Sequence, residues 1–106
     1  MASSSADSYQ FAPTEEQLKQ LRSWAERATA RGRKAEFLTT LKTIYQKLTT
    51  EPLIWGDPSY GLNQLGLQVY HRVCSPLHVA YAVDEARRIV YIKKFTLLSG
   101  SGLEDE

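Results

Sequence analysis

The chain has 106 residues, 42% of them hydrophobic and 24% charged, with a formal net charge of +1. This size and composition predict one globular domain that buries a modest core of its own. A single cysteine, Cys74, excludes an intrachain disulfide and favours a reducing compartment. The sequence shows neither a secretory leader pattern nor an apolar run of membrane-spanning length. We therefore expect a cytoplasmic protein without a membrane partner.

Charge is unevenly distributed along the chain. Between Lys19 and Lys47, eight lysines and arginines stand against two acids, whereas the last three residues are all acidic. A basic region of this kind could face phosphate or an acidic protein, and it is equally typical of a solvated helix surface.

The N-terminal part predicts a tail, a short strand and the start of a helix. Residues 1–7 are small and polar and are expected to be disordered. Residues 9–11 (YQF) alternate apolar and polar as an edge strand does, and Pro13 would end that strand. Thr14 and Gln17 have the spacing of a capping box, in which each side chain bonds to the other residue's backbone amide.

Two amphipathic helices are predicted next. The first runs to about Arg31, where Gly32 breaks it, and the second runs from about Lys34 to Thr49. Because the link between them is short, the helices should form an antiparallel hairpin. The apolar residues at helical spacing are Leu18, Leu21, Trp24, Ala25 and Ala28 in the first helix, and Phe37, Leu38, Leu41, Ile44, Tyr45 and Leu48 in the second.

The segment that follows, residues 53–63 (LIWGDPSYGLN), has the composition of a loop. Its aromatic residues Trp55 and Tyr60 leave two interpretations open. They could plug the end of the core, or they could offer a stacking surface to a base or a partner.

Three strands are expected at 65–74, 77–84 and 88–97, and the short turns between them make neighbouring strands antiparallel. The middle strand alternates cleanly between two faces. One face should pack on the helix hairpin, and the other is shallow and open at its centre. The first face carries Leu77, Val79, Tyr81 and Val83, and the second carries His78, Ala80 and Ala82.

This order of elements resembles the RelE/ParE superfamily, the toxin half of type II toxin–antitoxin modules. Residues 77–92 (LHVAYAVDEARRIVYI) look like the family's middle hairpin, and residues 51–65 (EPLIWGDPSYGLNQL) resemble its connection from second helix to sheet. The resemblance implies one domain over residues 8–98 of the α+β class. In it, an N-terminal two-helix hairpin packs on one face of a small twisted antiparallel β-sheet. Residues 99–106 remain as a flexible acidic tail.

The resemblance also implies a partner and a choice of targets. RelE-type members bind mRNA on the ribosome and cut it without a metal or cofactor. The 2′-hydroxyl attacks the adjacent phosphate, protein cations stabilise the developing charge, and a general acid and base move protons. ParE-type members instead poison DNA gyrase through a protein contact. Both types are neutralised by a cognate antitoxin.

The positions where RelE-type toxins keep their cations differ here. The family's arginine at the start of the middle strand is matched by His78, and the preceding strand offers His71 and Arg72 in place of lysines. Residues 96–102, at the end of the last strand and after it, add no cation.

The candidate site residues lie on the last three predicted strands. The catalytic candidates are Arg72, His78 and Lys93, and the candidate contacts to nucleic acid are His71, Tyr91 and Lys94. Histidine titrates near neutrality and arginine matches phosphate. Because neighbours on a strand point to opposite faces, only one of His71 and Arg72 can share a face with His78, and Lys93 and Lys94 should also diverge. Cys74 is more typical of a core residue than of a nucleophile, and no metal or cofactor site is expected.

Two hypotheses follow from the sequence. The first is a ribosome-dependent mRNA endonuclease of the RelE type, which works without metal. The second is a non-catalytic protein, either a ParE-like gyrase inhibitor or a degenerate toxin that only docks a protein partner. The second is favoured by the missing tail cations and by the low net charge.

Overall fold

A computed structural model describes residues 8–98, and within them the chain forms an α+β fold with three helices and a mixed five-stranded sheet. The predicted tails at 1–7 and 99–106 lie outside the described residues. The elements are β1 (Gln10–Ala12), α1 (Glu15–Ala30), α2 (Lys34–Thr50), α3 (Pro52–Trp55), β2 (Asp57–Leu62), β3 (Gln68–Cys74), β4 (Leu77–Asp84) and β5 (Ile89–Leu97).

The strand order across the sheet is β1-β5-β4-β3-β2. The predicted antiparallel meander is confirmed in β3, β4 and β5, and β2 extends it as a further antiparallel strand. The prediction of a wholly antiparallel sheet is wrong at β1, which pairs in parallel with β5. A parallel pair requires a long crossover, and both long helices lie in the chain between these two strands.

Local signals fixed the two long helices where the sequence predicted them. Thr14 Oγ1 accepts from the amide of Gln17, and Gln17 Oε1 accepts from the amide of Thr14, which completes the capping box. The first helix ends just before Gly32, whose φ of +71° suits a residue without a Cβ. Within the described part of the chain, no helix has the length and apolar character needed to cross a membrane.

The core lies between the helices and one face of the sheet. Gln17 Nε2 donates to the carbonyl of Ile92 at 2.9 Å, and Thr40 Oγ1 donates to the carbonyl of Ser75 at 3.0 Å, so each long helix bonds to the meander. The buried apolar cluster is formed by Trp24, Ala28, Phe37, Ile44, Leu48, Trp55, Leu77, Val79, Tyr81, Val83, Val90, Ile92 and Phe95. All four residues that alternation assigned to the helix side of the middle strand belong to this cluster.

The prediction of a loop over residues 53–63 is wrong, because this segment contains most of α3 and all of β2. A proline at its second residue is tolerated because β2 is an edge strand. The register between β2 and β3 shifts between Pro58 and Leu62, so the strand is irregular and its composition resembles a loop. Trp55 is buried in the core, as the first interpretation held, while the side chain of Tyr60 lies outside the described part.

Tyr81 lies at the centre of the core and is fully buried. Its ring stacks on Trp55 and on Tyr70, with ring centroids 6.2 and 5.5 Å apart, and its hydroxyl donates to the carbonyl of Pro52 at 2.6 Å. The backbone of Gly56 passes so close to this ring that a Cβ there would overlap the hydroxyl and ring carbons. The close passage of Gly56 allows the chain to turn from α3 into β2 over the tyrosine.

Substitution of this glycine tests the packing. We expect Gly56→Ala to destabilise the protein by about 1–3 kcal/mol, because the added methyl group meets the buried Tyr81 ring. Gly61→Ala is the matched control: a Cβ at Gly61 meets nothing within 4 Å, so its effect should stay within about 0.5 kcal/mol. Urea unfolding followed by tryptophan fluorescence measures both, and equal stability of the two variants would contradict the packing described.

Candidate nucleic-acid interface

The face of the sheet opposite the helices is called the outer face below. Strand register arranges its residues in three rows that run across the strands. One row is Asp57, His71, Ala80 and Lys94; the next is Val73, His78 and Thr96; the third is Val69, Ala82 and Tyr91. Four of the six predicted site residues, His71, His78, Tyr91 and Lys94, therefore share one face.

The two histidines of the chain lie side by side on the outer face. Their ring centroids are 5.6 Å apart and the ring planes are tilted by 42°. His71 is exposed and His78 is half-buried. The question left open by the sequence is thus decided: His71, and not Arg72, is the residue that shares a face with His78.

The environment of His78 disfavours its charged form. Partial burial lowers the pKa of this imidazole, and the neighbouring His71 lowers it further because two positive charges would repel. This shift favours the neutral imidazole, whose ring nitrogen carries the lone pair that a general base requires.

Arg72 lies on the inner side of β3, paired with the buried Val79. Its guanidinium carbon lies 5.7 Å from the centroid of the Trp55 ring, and Nη1 donates to the carbonyl of Trp55 at 3.0 Å. The arginine therefore braces the α3–β2 connection, and the structure does not bring it together with His78.

The sequence predicts that Lys93 and Lys94 point to opposite faces of a regular strand. Regular alternation does not apply here, because β5 has a bulge at this point. Ala80 pairs with Lys94 while Tyr81 pairs with Ile92, so Lys93 is the extra residue. Both lysines are exposed. Lys94 stands on the outer face beside Ala80, and Lys93 is directed by the bulge into a separate cleft.

The outer face is less open than alternation suggested. Ala82 is fully buried, although it points away from the helices. The loop between β2 and β3 lines a cleft together with Tyr91 and Lys93 of β5, so this loop crosses the outer face at the level of Ala82. The open part of the face is therefore confined to the rows of His71 and His78.

Sequence reasoning missed Asn63, which shapes this covering loop. Its Oδ1 accepts from the amides of Leu65 and Leu67 at 3.0 and 3.1 Å, and Gly66 follows with a φ of +80°. An Asn followed three residues later by Gly is a turn signal that could have placed the loop at 63–67 instead of starting a strand at 65. Asp57, the cross-strand neighbour of His71, was hidden within the segment assigned as loop.

Cys74 packs partly against the core, and burial raises the pKa of its thiol, which keeps it in the less nucleophilic protonated form. In residues 8–98 no group of three or more His, Cys, Asp or Glu side chains is placed to hold a metal ion.

Comparisons with known proteins add no relative: no protein-family model, curated protein or solved structure matches the chain.

Titration of the two histidines tests the geometry of their pair. In NMR titrations of imidazole shifts, we expect the pKa of His78 to lie below the ordinary value for histidine. His71→Gln should raise it part of the way back, because the repulsion is removed while the larger effect of burial persists. If His78 titrated identically in both proteins, the two rings would not be neighbours in solution.

Proposed function

We propose that the chain is a RelE/ParE-like toxin of a type II toxin–antitoxin module that cuts mRNA, acting in the cytoplasm. Support comes from the sequence resemblance, and from an element order of strand, helix hairpin and meander like the one the resemblance implies. The observation that carries the chemistry is the His71–His78 pair, which lies on a shallow sheet face next to Lys94.

These groups suffice for RNA cleavage by the strand's own 2′-hydroxyl. His78, whose lowered pKa favours the neutral imidazole, takes the 2′-hydroxyl proton while that oxygen forms a bond to the adjacent phosphorus. As the bond between phosphorus and the 5′-oxygen breaks, His71 acts as the general acid and gives a proton to the departing oxygen. The products are a 2′,3′-cyclic phosphate and a 5′-hydroxyl, and no metal takes part.

Lys94 has the role of stabilising the phosphate. It is exposed on β5, and Ala80 lies between it and His71 in the same row. The alanine has no long side chain to obstruct a phosphate above it, so Lys94 and the two imidazoles can converge on one group.

Single substitutions on the outer face test this mechanism. His78→Gln should lower the rate of mRNA cleavage in a translating extract by roughly 100-fold or more, as removal of a general base does. Lys94→Gln should lower it by roughly tenfold, because one charge at the phosphate is lost. Lys42→Gln, the same change on an exposed position of α2, is the control and should cleave as wild type does. Cleavage that survives His78→Gln in a folded variant would rule out this use of the pair.

The proposed antitoxin fits the helix hairpin. The apolar stripe of the helices is wider than the core needs, so Leu18 and Leu38 remain 44% and 46% exposed. With Leu21, Ala25 and Leu41 they line a groove of about 370 Å³ between α1 and α2, with Arg22 at its side. The excess of cations between Lys19 and Lys47 favours an amphipathic helix with acidic flanks as its occupant.

The groove can be tested with charge substitutions. Leu18→Glu combined with Leu38→Glu should weaken binding of an antitoxin encoded by an adjacent open reading frame by roughly tenfold or more, because apolar contacts are lost and acidic groups repel. Ile54→Glu is the control, since Ile54 is 77% exposed on α3 and outside the groove. Co-purification and growth rescue that are unchanged in the double variant would contradict this docking site.

A non-catalytic ParE-like gyrase inhibitor is the second candidate, and the position of Arg72 favours it. Arg72 is the only arginine in the described strands, and it faces Trp55 instead of the outer face. A DNA supercoiling assay separates the candidates: the gyrase inhibitor stops supercoiling, and the RNA-cleaving toxin leaves it unchanged.

A further inference from the structure

A cleft of about 310 Å³ lies at the edge of β5, just beyond the point where β1 stops pairing with it. Its walls come from three elements: the start of α1, the β2–β3 loop and the bulged part of β5. Its lining includes Gln17, Asn63, Gln64, Tyr91 and Lys93. The cleft is large enough to hold a small ligand.

The walls of the cleft are fixed by hydrogen bonds. Gln17 is held at both ends of its amide, by the amide of Thr14 and the carbonyl of Ile92. Asn63 is held by two backbone amides of its own loop. A pocket whose walls are already positioned binds its ligand with a smaller loss of conformational entropy.

The cleft also carries a defined charge. Among the described residues 8–98, Lys93 is the only charged residue that lines it, and no carboxylate of that part of the chain does so. Lys93 makes no ion pair with another described residue. An ammonium group without an acidic partner in residues 8–98, next to an aromatic ring and side-chain amides, is suited to a ligand with a phosphate, a planar ring and polar ring edges.

We propose that this cleft binds one nucleotide of the RNA substrate, with the base against Tyr91 and Gln64 and its phosphate on Lys93. The proposal rests on the RNA-cleaving function proposed above and deepens it by adding a site for base selection. The β5 bulge makes the site possible, since it directs Lys93 into the cleft while Lys94 remains on the outer face.

The cleft and the histidine pair lie at different levels of the same sheet. Tyr91 pairs with Ala82, which is four residues from His78 on β4, so the two levels are about 13 Å apart. The bound nucleotide is therefore not the one whose phosphate is attacked. It lies farther along the same strand, and the cleft should impose a base preference at a constant offset from the cut.

The first experiment measures binding of 5′-AMP, 5′-CMP, 5′-GMP and 5′-UMP to the full chain by NMR shift perturbation. We expect one base to bind best, with shifts centred on Tyr91, Lys93 and Asn63, and Lys93→Gln to weaken it at least fivefold. Gln64→Ala should reduce the difference between bases. Lys42→Gln is the control and should bind as wild type does. Equal binding by wild type and Lys93→Gln, or shifts centred on His71 and His78 instead, would overturn the proposal.

The second experiment distinguishes a nucleotide within RNA from a free nucleotide. Randomised messages are cut in a translating extract, and the bases around each cut are sequenced for wild type, Lys93→Gln and Lys42→Gln. A base preference at a constant offset that is lost in Lys93→Gln alone supports the proposal. Cleavage with the same preference in all three proteins overturns it while leaving the RNA-cleaving function intact. If the cleft binds mononucleotides but no message is cut by the wild-type protein, the cleft is a site for free nucleotides. In that case the proposed RNA-cleaving function is wrong.

Discussion

The burial of Tyr81 is the constraint on which the rest of the structure depends. Its ring is stacked between those of Trp55 and Tyr70, and its hydroxyl donates to the carbonyl of Pro52. Burial raises the pKa of this phenol to about 12, so the hydroxyl remains a donor at any physiological pH. Because side chains alternate along a strand, a buried Tyr81 places Ala80 and His78 within the outer rows. A slip of one residue would expose the tyrosine and bury the histidine, so the core determines where the candidate chemistry lies.

The bulge at Lys93 allows the apolar residues at the end of β5 to pack against the core. With strict alternation from Val90, the residues facing the helices would be Val90, Ile92, Lys94 and Thr96. The extra residue resets the alternation, so that Phe95 is buried and Leu97 packs against the core. The same reset leaves Lys94 outside and turns Lys93 toward the cleft. The lysine positions are thus a consequence of burying the apolar end of β5.

The parts of the fold that could be predicted from the sequence are those encoded by local patterns. The capping box at Thr14, the glycine break at Gly32 and the alternation of β4 each depend on a few neighbouring residues. The strand β2 could not be recognised, because an edge strand with a proline and an irregular register has the composition of a loop. The parallel pairing of β1 joins residues about eighty positions apart, which no local pattern encodes.

The candidate site was predictable in its residue types and less so in its geometry. His71 and Arg72 are adjacent in sequence, and only the pairing of Tyr70 with Tyr81 shows which of them faces the helix side. The sequence does contain a pattern from which the bulge could have been predicted. Two lysines between Ile92 and Phe95 break the alternation of an otherwise regular strand, and a single extra residue restores it.

The cations of the helix hairpin and Lys94 of the outer face lie on opposite sides of the sheet, and this separation bears on the proposed partners. A net charge of +1 gives little non-specific attraction to phosphate. The proposed RNA contacts would therefore depend on individual charges that lie along the path of the RNA. The cations of the helix hairpin lie on the other side of the sheet, where salt weakens their effect on the outer face. They remain available, around the exposed Leu18 and Leu38, to an acidic protein helix. RNA and antitoxin would then bind different faces, and neutralisation would require the antitoxin chain to extend around the sheet edge to the histidine pair.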